Sequence, residues 1–188
     1  MKSYVLNYGG AKEMQTFSAV KLAQQLLITK LNTAQCIVDA TAGNGKDTHF
    51  LAKHSRDDAV VWAFDIQQAA ILQTHKILTA HNLVNKVRLI VDSHANVASY
   101  IGKPIDVAMF NLGYLPNSKH SIATEGQSTI IALRQIVRLL SVGGVISLVA
   151  YPGHEQGYYE QQAVQAFLKS LPVKQFTVGC WTDRKSVV

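Results

Sequence analysis

The chain has 188 residues, 48% of them apolar, with 18 Lys and Arg against 12 Asp and Glu for a formal net charge of +6. That length supplies one well-buried core and is short for two ordinary domains with a linker, so a single domain over 1–188 is expected. The positive balance suits an anionic partner such as nucleic acid and equally a merely basic protein, because the excess is spread thinly with no run of Lys or Arg to mark a patch.

The N-terminal MKSYVLNYGGAKEMQ lacks the basic start and unbroken apolar core of a secretory signal, and no stretch approaches the ~18 apolar residues of a membrane span. A cytoplasmic protein without membrane contact is the expectation. Thr16 or Ser18 is placed to cap a helix through AVKLAQQLLITKL. CIVDA (36–40), AVVWAFD (59–65), VRLIVD (87–92), IDVAMFNL (105–112) and GVISLVAY (144–151) then follow as apolar runs of strand length. Such continuous, β-branched runs fit strands covered on both faces, as in a parallel sheet. Between them lie helical segments: one from Gln67 to His81, and one opened by Ser128 through TIIALRQIVRLL and stopped by Gly143 and Gly144. A last helix, about Tyr158 to Leu171, ends at Pro172, and VKQFTVGCW reads as one more strand. Strand and helix alternate, which predicts a doubly wound α/β fold. Cys36 and Cys180 each border an apolar run at no metal or redox spacing, so buried, reduced thiols are expected.

In open sheets of this type the ligand lies beyond the carboxyl ends of the strands. Chemistry-bearing residues gather there: Asp39 with Gly43 and Gly45, Asp65, Asp92 with His94, Asn111 to Pro116, and Tyr151 to His154. In DATAGNGKDT, Gly43 and Gly45 let backbone approach a ligand closely, and Asp47 and Thr48 begin the next helix. A dinucleotide fingerprint would place a third glycine where Thr48 stands, and a phosphate loop would need GK[ST], which is absent. Asp65, ending the second strand, suits the two hydroxyls of a ribose. Asp39 instead asks for a cationic or donor-rich group, which a pyrophosphate is not. An ammonium beside a sulfonium meets that requirement, which points to S-adenosylmethionine, and Asp92 falls where the adenine amino group needs an acceptor. The plainer reading of these acids is solvated strand ends or caps.

DATAGNGKDTHFLA, followed by FDIQ, DSHAN, NLGYLP and YPGH, resembles the YtqB-like class I methyltransferases, the putative rRNA methylases of MnmM type, from about Phe17 onward. The resemblance implies a Rossmann-like, mostly parallel methyltransferase sheet and S-adenosylmethionine-dependent methylation of the amine of 5-aminomethyl-2-thiouridine at the wobble position of tRNA. The cofactor site it implies comprises Asp39, Thr41, Gly43, Asn44, Gly45, Asp47, Thr48, Asp65, Gln67, Asp92, Ser93, His94, Asn111 and Leu112.

For the reaction, the Asn111 carboxamide oxygen can accept hydrogens of a substrate amine, leaving its lone pair toward the methyl carbon. Gly113 permits close approach, Tyr114 offers a ring to stack on a splayed base, and Pro116 and Tyr151 complete the substrate side; as a plain alternative, NLGYLP is only a turn. An alkylamine is mostly protonated at neutral pH, so a proton must leave. His154 is the first candidate to take it, with surface hydrogen bonding and loss to water as the alternatives. Asn111, His154 and Tyr114 are thus the expected catalytic residues. His49, His94 and His120 have no metal-site spacing, and no metal is assigned. Lys46, Lys119, Arg184 and Lys185 are candidates to meet tRNA phosphates or are plain solvated surface.

Two features depart from the family pattern. Asn117, Ser118 and Lys119 stand where glycines and an acid belong, and the chain stops at DRKSVV where the family fold continues into a final strand, so an incomplete sheet edge or a clipped sequence is expected. A domain of this size offers little beyond its catalytic fold for gripping tRNA, which favours either a homodimer or recognition of the anticodon stem-loop alone. The competing functions are N-methylation of rRNA, DNA or a small amine, a non-catalytic nucleotide-binding RNA scaffold, and a nicotinamide-dependent oxidoreductase, the last disfavoured by Thr48 and Asp39.

Overall fold

The computed structural model describes residues 19–112, 126–151 and 155–181. The apolar runs become parallel strands: β1 (Cys36–Asp39), β2 (Val60–Asp65), β3 (Val87–Val91), β4 (Ile105–Leu112) and β5 (Leu140–Ala150). The helices are α1 (Ala19–Leu31), α2 (Lys46–His54), α3 (Gln68–Ala80), the single turn α4 (Val97–Tyr100), α5 (Gly126–Leu139) and α6 (Glu155–Ser170). The sheet order is β3-β2-β1-β4-β5, all neighbours parallel, so the fold is α/β and doubly wound as the alternation predicts.

Both faces of the sheet are covered. Ile37, Val61, Ala63, Val107 and Met109 pack under α1, α2 and α3, where Leu27, Leu31, Leu51 and Leu78 meet them. Val38, Phe64, Ala108 and Phe110 face the other way, against Val97, Ala132, Leu133, Ile136 and Val164. Alternating side chains of one strand therefore serve two cores, which is why the central strands are continuously apolar from Cys36 to Val38 and from Val107 to Phe110. From β1 the chain winds toward β2 and β3, and from β4 toward β5; the β1–β4 boundary is thus the point where the order reverses, the place where such sheets open a crevice.

Three expected boundaries are corrected. Ser128 does not open α5, which begins at Gly126; a Cβ there would sit 3.2 Å from Glu160 Cα, so the missing side chain lets the start of α5 approach α6. Gly143 and Gly144 do not stop that helix either. It ends at Leu139 and β5 starts at once, pairing Leu140 with Ile105 and Val145 with Val107, so that two steps on β4 face five on β5. Gly143, at φ 71, takes up the extra length as an irregularity inside the strand.

The third correction is VKQFTVGCW, which forms no strand. Gln175 and Phe176 donate their backbone N–H to Pro172 O at 2.9 and 3.0 Å, a turn, and residues 176–181 have no ladder partner among the described residues. Alternation specifies which face a strand would present but not the neighbour it must bond. Cys180 is consequently exposed rather than buried, whereas Cys36 is enclosed and burial pushes its thiol up to about 11. Thr16 and Ser18 lie outside the described residues. Among the described residues no helix is long and apolar enough to cross a membrane.

Candidate active site

The loop after β1 is built by its own hydrogen bonds. Ala40 N donates to Met109 O at 2.9 Å and Ala42 N to Phe64 O at 2.9 Å, fastening the loop to β4 on one side and β2 on the other. Gly43 (φ 50) and Gly45 (φ 76) both occupy the left-handed region, which L side chains avoid. Gly43 N then donates to Asp65 Oδ2 at 2.9 Å, while Asp65 Oδ1 accepts from Gln67 N at 2.9 Å. Asp65 thereby clamps the glycine loop to the turn that begins α3.

Asp39 is fully buried at the end of β1. Oδ1 accepts from Thr41 N at 3.0 Å and Oδ2 from Thr48 Oγ1 at 2.6 Å. The position of the missing third glycine is therefore occupied by a hydroxyl that the buried acid needs. Burial pushes the Asp39 carboxyl up to about 7, against the Thr48 and Thr41 donors, with Asp47 and Asp65 adding to the rise.

This shift has a fixed sign for stability. The folded-state value lies above the ordinary 3.8, so the favourable contribution is complete below about 3.8 and is lost as pH rises through about 7. Denaturant midpoints should therefore fall between about pH 4 and 7, by an increment that Asp39→Asn abolishes. An unchanged pH slope in that variant would contradict the assignment.

Asp92 follows β3. Its Oδ1 accepts from Ser93 N at 2.7 Å and Asn96 Nδ2 at 2.9 Å, and Oδ2 from the Tyr100 hydroxyl at 2.9 Å. The Tyr100 bond, with those of Asn96 and Ser93, holds the carboxyl below its usual range. Ser93 caps the short turn His94–Asn96 by accepting from Ala95 N. His94 lies beneath the glycine loop: Nδ1 donates to Ala40 O at 2.9 Å, since a carbonyl only accepts, and Nε2 faces Ser128 Oγ at 3.4 Å. Burial lowers its pKa, so the ring serves as a neutral strut and not as a charge.

Asn111, near the end of β4, joins the two sides of the crevice. Its backbone N–H donates to Thr41 Oγ1 at 2.8 Å, and its Nδ2 to Asp47 Oδ2 at 2.9 Å. Asp47 is nearly buried in the first turn of α2, where the helix dipole favours an anion, and its Oδ1 accepts from Gln24 Nε2 of α1 at 2.8 Å. Leu112 is buried beside Asn111, and Asn44 is exposed at the loop tip. Tyr151, half exposed just past β5, has its phenol pushed up by burial and by Asp47, so it keeps its proton at neutral pH. Gly113, Tyr114, Pro116 and His154 lie outside the described residues, as do Asn117 to His120, Arg184 and Lys185.

The structure thus brings Asp39, Thr41, Gly43, Gly45, Asp47, Thr48, Asp65, Gln67 and Asn111 into one bonded frame and sets Asp92, Ser93 and His94 beside it. Sequence reading missed Gln24, Thr74 and Tyr100. Gln24 sits among the apolar residues of α1 with no motif around it, and Thr74 enters because α3 passes 2.8 Å from where a Gly45 Cβ would be and its hydroxyl donates to Gly43 O at 3.4 Å. His49 contacts His81 at 4.3 Å between ring centroids, away from this frame, and no three His, Cys, Asp or Glu among the described residues could hold a metal ion.

The family model described as putative rRNA methylase matches residues 61–185. The chain belongs to this family. A chloroplastic tRNA (mnm(5)s(2)U34)-methyltransferase of Arabidopsis thaliana is 36% identical over 165 residues, 82% of this chain, and the match spans 60% of the plant protein's length. Among solved structures, a putative rRNA methylase from Clostridium thermocellum is 40% identical, with TM-score 0.81, over 86% of this chain and 87% of that one. A putative methyltransferase from Streptococcus mutans, solved with S-adenosylhomocysteine, is 34% identical, with TM-score 0.81, over 90% of this chain and 91% of that one. The rRNA methylase fold is therefore the frame on which the acids, glycines and Asn111 are mounted.

Proposed function

We propose that this member of the rRNA methylase family is an S-adenosylmethionine-dependent methyltransferase of tRNA, and that its substrate is the amine of 5-aminomethyl-2-thiouridine at the wobble position. The observation that carries the reading is the position of Asn111 at the reversal point of the sheet, bonded through its backbone to Thr41 of the glycine loop. An amide acceptor is thereby held next to the loop that suits the cofactor. The Arabidopsis relative, named for a wobble-uridine methyltransferase, supports the substrate.

The residues fit the cofactor. The left-handed glycines expose loop backbone at close range, and Asp65 and Asp92 set acceptors at two successive strand ends, complementary to a ribose and an adenine amine, whereas the buried Asp39 cannot meet an ammonium directly. When bound, S-adenosylmethionine supplies a methyl group on positively charged sulfur. Asp65 and Asp92 would take the ribose and the base, and Asp39, through Thr41 and Thr48, shapes the loop around the amino-acid end.

In-line transfer then needs orientation more than acid or base strength. Asn111 accepts one hydrogen of the neutral amine through Oδ1 and so directs the lone pair. Tyr114 stacks the extruded base and Gly113 and Pro116 shape its pocket. His154 takes the proton the alkylammonium must lose, in keeping with the near-neutral pKa of an imidazole. Recognition through the anticodon stem-loop needs no further domain, and the net charge of +6 favours the phosphate backbone.

The test is transfer of labelled methyl to tRNA from cells lacking the final methylation, followed by identification of the labelled nucleoside. Label in 5-methylaminomethyl-2-thiouridine is expected; label confined to ribosomal RNA would overturn the substrate assignment. Calorimetric titration should show S-adenosylhomocysteine binding and no NAD binding.

A further inference from the structure

Asp47 begins α2 as its motif suggests, but its carboxylate serves other elements. Although it stands in the glycine-loop helix, both carboxylate oxygens point away from the loop, one to Gln24 on α1 and one to Asn111 on β4. A carboxylate offers acceptors only, and a primary amide has a donor end and an acceptor end. The acid therefore selects one of two otherwise similar orientations of the Asn111 carboxamide: NH2 toward Asp47, oxygen toward the crevice. A flipped amide would present two N–H groups to the reacting amine, occupying the lone pair that must attack.

We propose that Asp47 is the positioning residue that sets the acceptor face of Asn111 toward the reacting amine, and that Gln24 holds Asp47 in the required rotamer. The inference rests on the role given to Asn111 in the proposed reaction. It also assigns a task to α1: Gln24 lies between the buried Ala23 and Leu27, which pack that helix on the sheet, so the same packing that buries α1 delivers the amide to Asp47. The backbone bond from Asn111 to Thr41 fixes where the side chain starts, and Asp47 fixes which way its end faces.

The order of donors along this chain makes a compensating pair of substitutions available. Asp47→Ala removes the acceptor and frees the Asn111 carboxamide to turn, whereas in Asp47→Asn alone a turn of the Gln24 amide is enough to keep the Asn111 NH2 on the residue-47 oxygen. Adding Gln24→Glu to Asp47→Asn supplies a group that only accepts. The residue-47 amide must then give its NH2 to position 24 and its oxygen to Asn111, restoring the original orientation of Asn111. The volumes hardly change in this pair, so packing is preserved.

Steady-state methylation of the tRNA substrate should show kcat reduced ~10- to 100-fold in Asp47→Ala, of the size expected for a misdirected reacting group, with KM and S-adenosylhomocysteine affinity within about 3-fold of wild type. The double variant should regain all but about 3- to 5-fold of the lost kcat. A double variant no faster than the single one, or a single variant at wild-type kcat, would overturn the proposal. The lock itself is read without turnover: the side-chain amide resonances of Asn111 should shift in Asp47→Ala and return in the double variant, and resonances indifferent to residue 47 would overturn it equally. Wild-type protein that leaves the tRNA amine unmethylated, with the resonance shifts still seen in the variants, would count against the proposed reaction and uphold the lock.

Discussion

Asn111→Ala is expected to reduce kcat by about two orders of magnitude while the protein still folds and still binds S-adenosylhomocysteine. The size follows from what is lost: an acceptor that fixes the direction of the attacking lone pair, for which misplacement by about 1 Å typically costs ~10²-fold. The cofactor loop should survive, because its link to β4 at this residue is the backbone N–H of Asn111 to Thr41 Oγ1, which alanine retains. Asp47 loses one of its two donors and keeps Gln24, so a stability loss of roughly 1–2 kcal/mol accompanies the kinetic effect. Activity at wild-type level in Asn111→Ala would remove the acceptor role from the mechanism. A non-catalytic RNA scaffold would be unaffected in function by the same change.

Gly45→Ala should damage folding and cofactor binding together. At φ 76 an alanine is strained, and its Cβ would lie 2.8 Å from Thr74 Cα and 2.9 Å from Thr74 Oγ1. The first of these is backbone of α3 and cannot swing aside, so either the helix or the loop must move. Strain and clash together should cost roughly 2–4 kcal/mol, lowering Tm by about 5–12 °C for a chain of this size. Because displacement of the loop breaks the reach from Gly43 N to Asp65, affinity for S-adenosylhomocysteine should fall by at least ~10-fold, a loss of about 1.4 kcal/mol in binding. Gly43→Ala provides the contrast. Its φ is 50 and the nearest atom to an added Cβ is Thr41 O at 3.8 Å, so only the dihedral cost of about 1–2 kcal/mol applies. Equal losses in the two variants, measured by thermal melts and calorimetry, would show that the close approach to α3 is unimportant.

The strands were legible because a two-faced sheet leaves no polar option. Past Asp106, IDVAMFNL is apolar up to Asn111, and the structure gives β4 the same bounds, Ile105–Leu112. The first polar residue in such a run marks where the strand leaves the core, which is why Asp39, Asp65 and Asn111 could be placed at the mouth of the crevice before any coordinates. VKQFTVGCW shows the limit of that reasoning, since strand-like residues form a strand only beside a bonding partner. The pair of glycines after α5 shows another: Gly143 marks a bulge against β4 in a place where the sequence alone suggests the end of a helix.

What the chain of residues determines unaided is the order of elements, the faces they bury and the set of polar groups at strand ends, because periodicity and burial are local properties of the sequence. The tertiary structure decided what those groups bond: that Thr48 serves the buried Asp39, that Asp65 clamps Gly43, and that Asp47 turns from its own loop toward Gln24 and Asn111. Hydrogen-bond partners 23 and 64 residues apart are selected by how helices settle on the sheet, and no local pattern encodes that geometry.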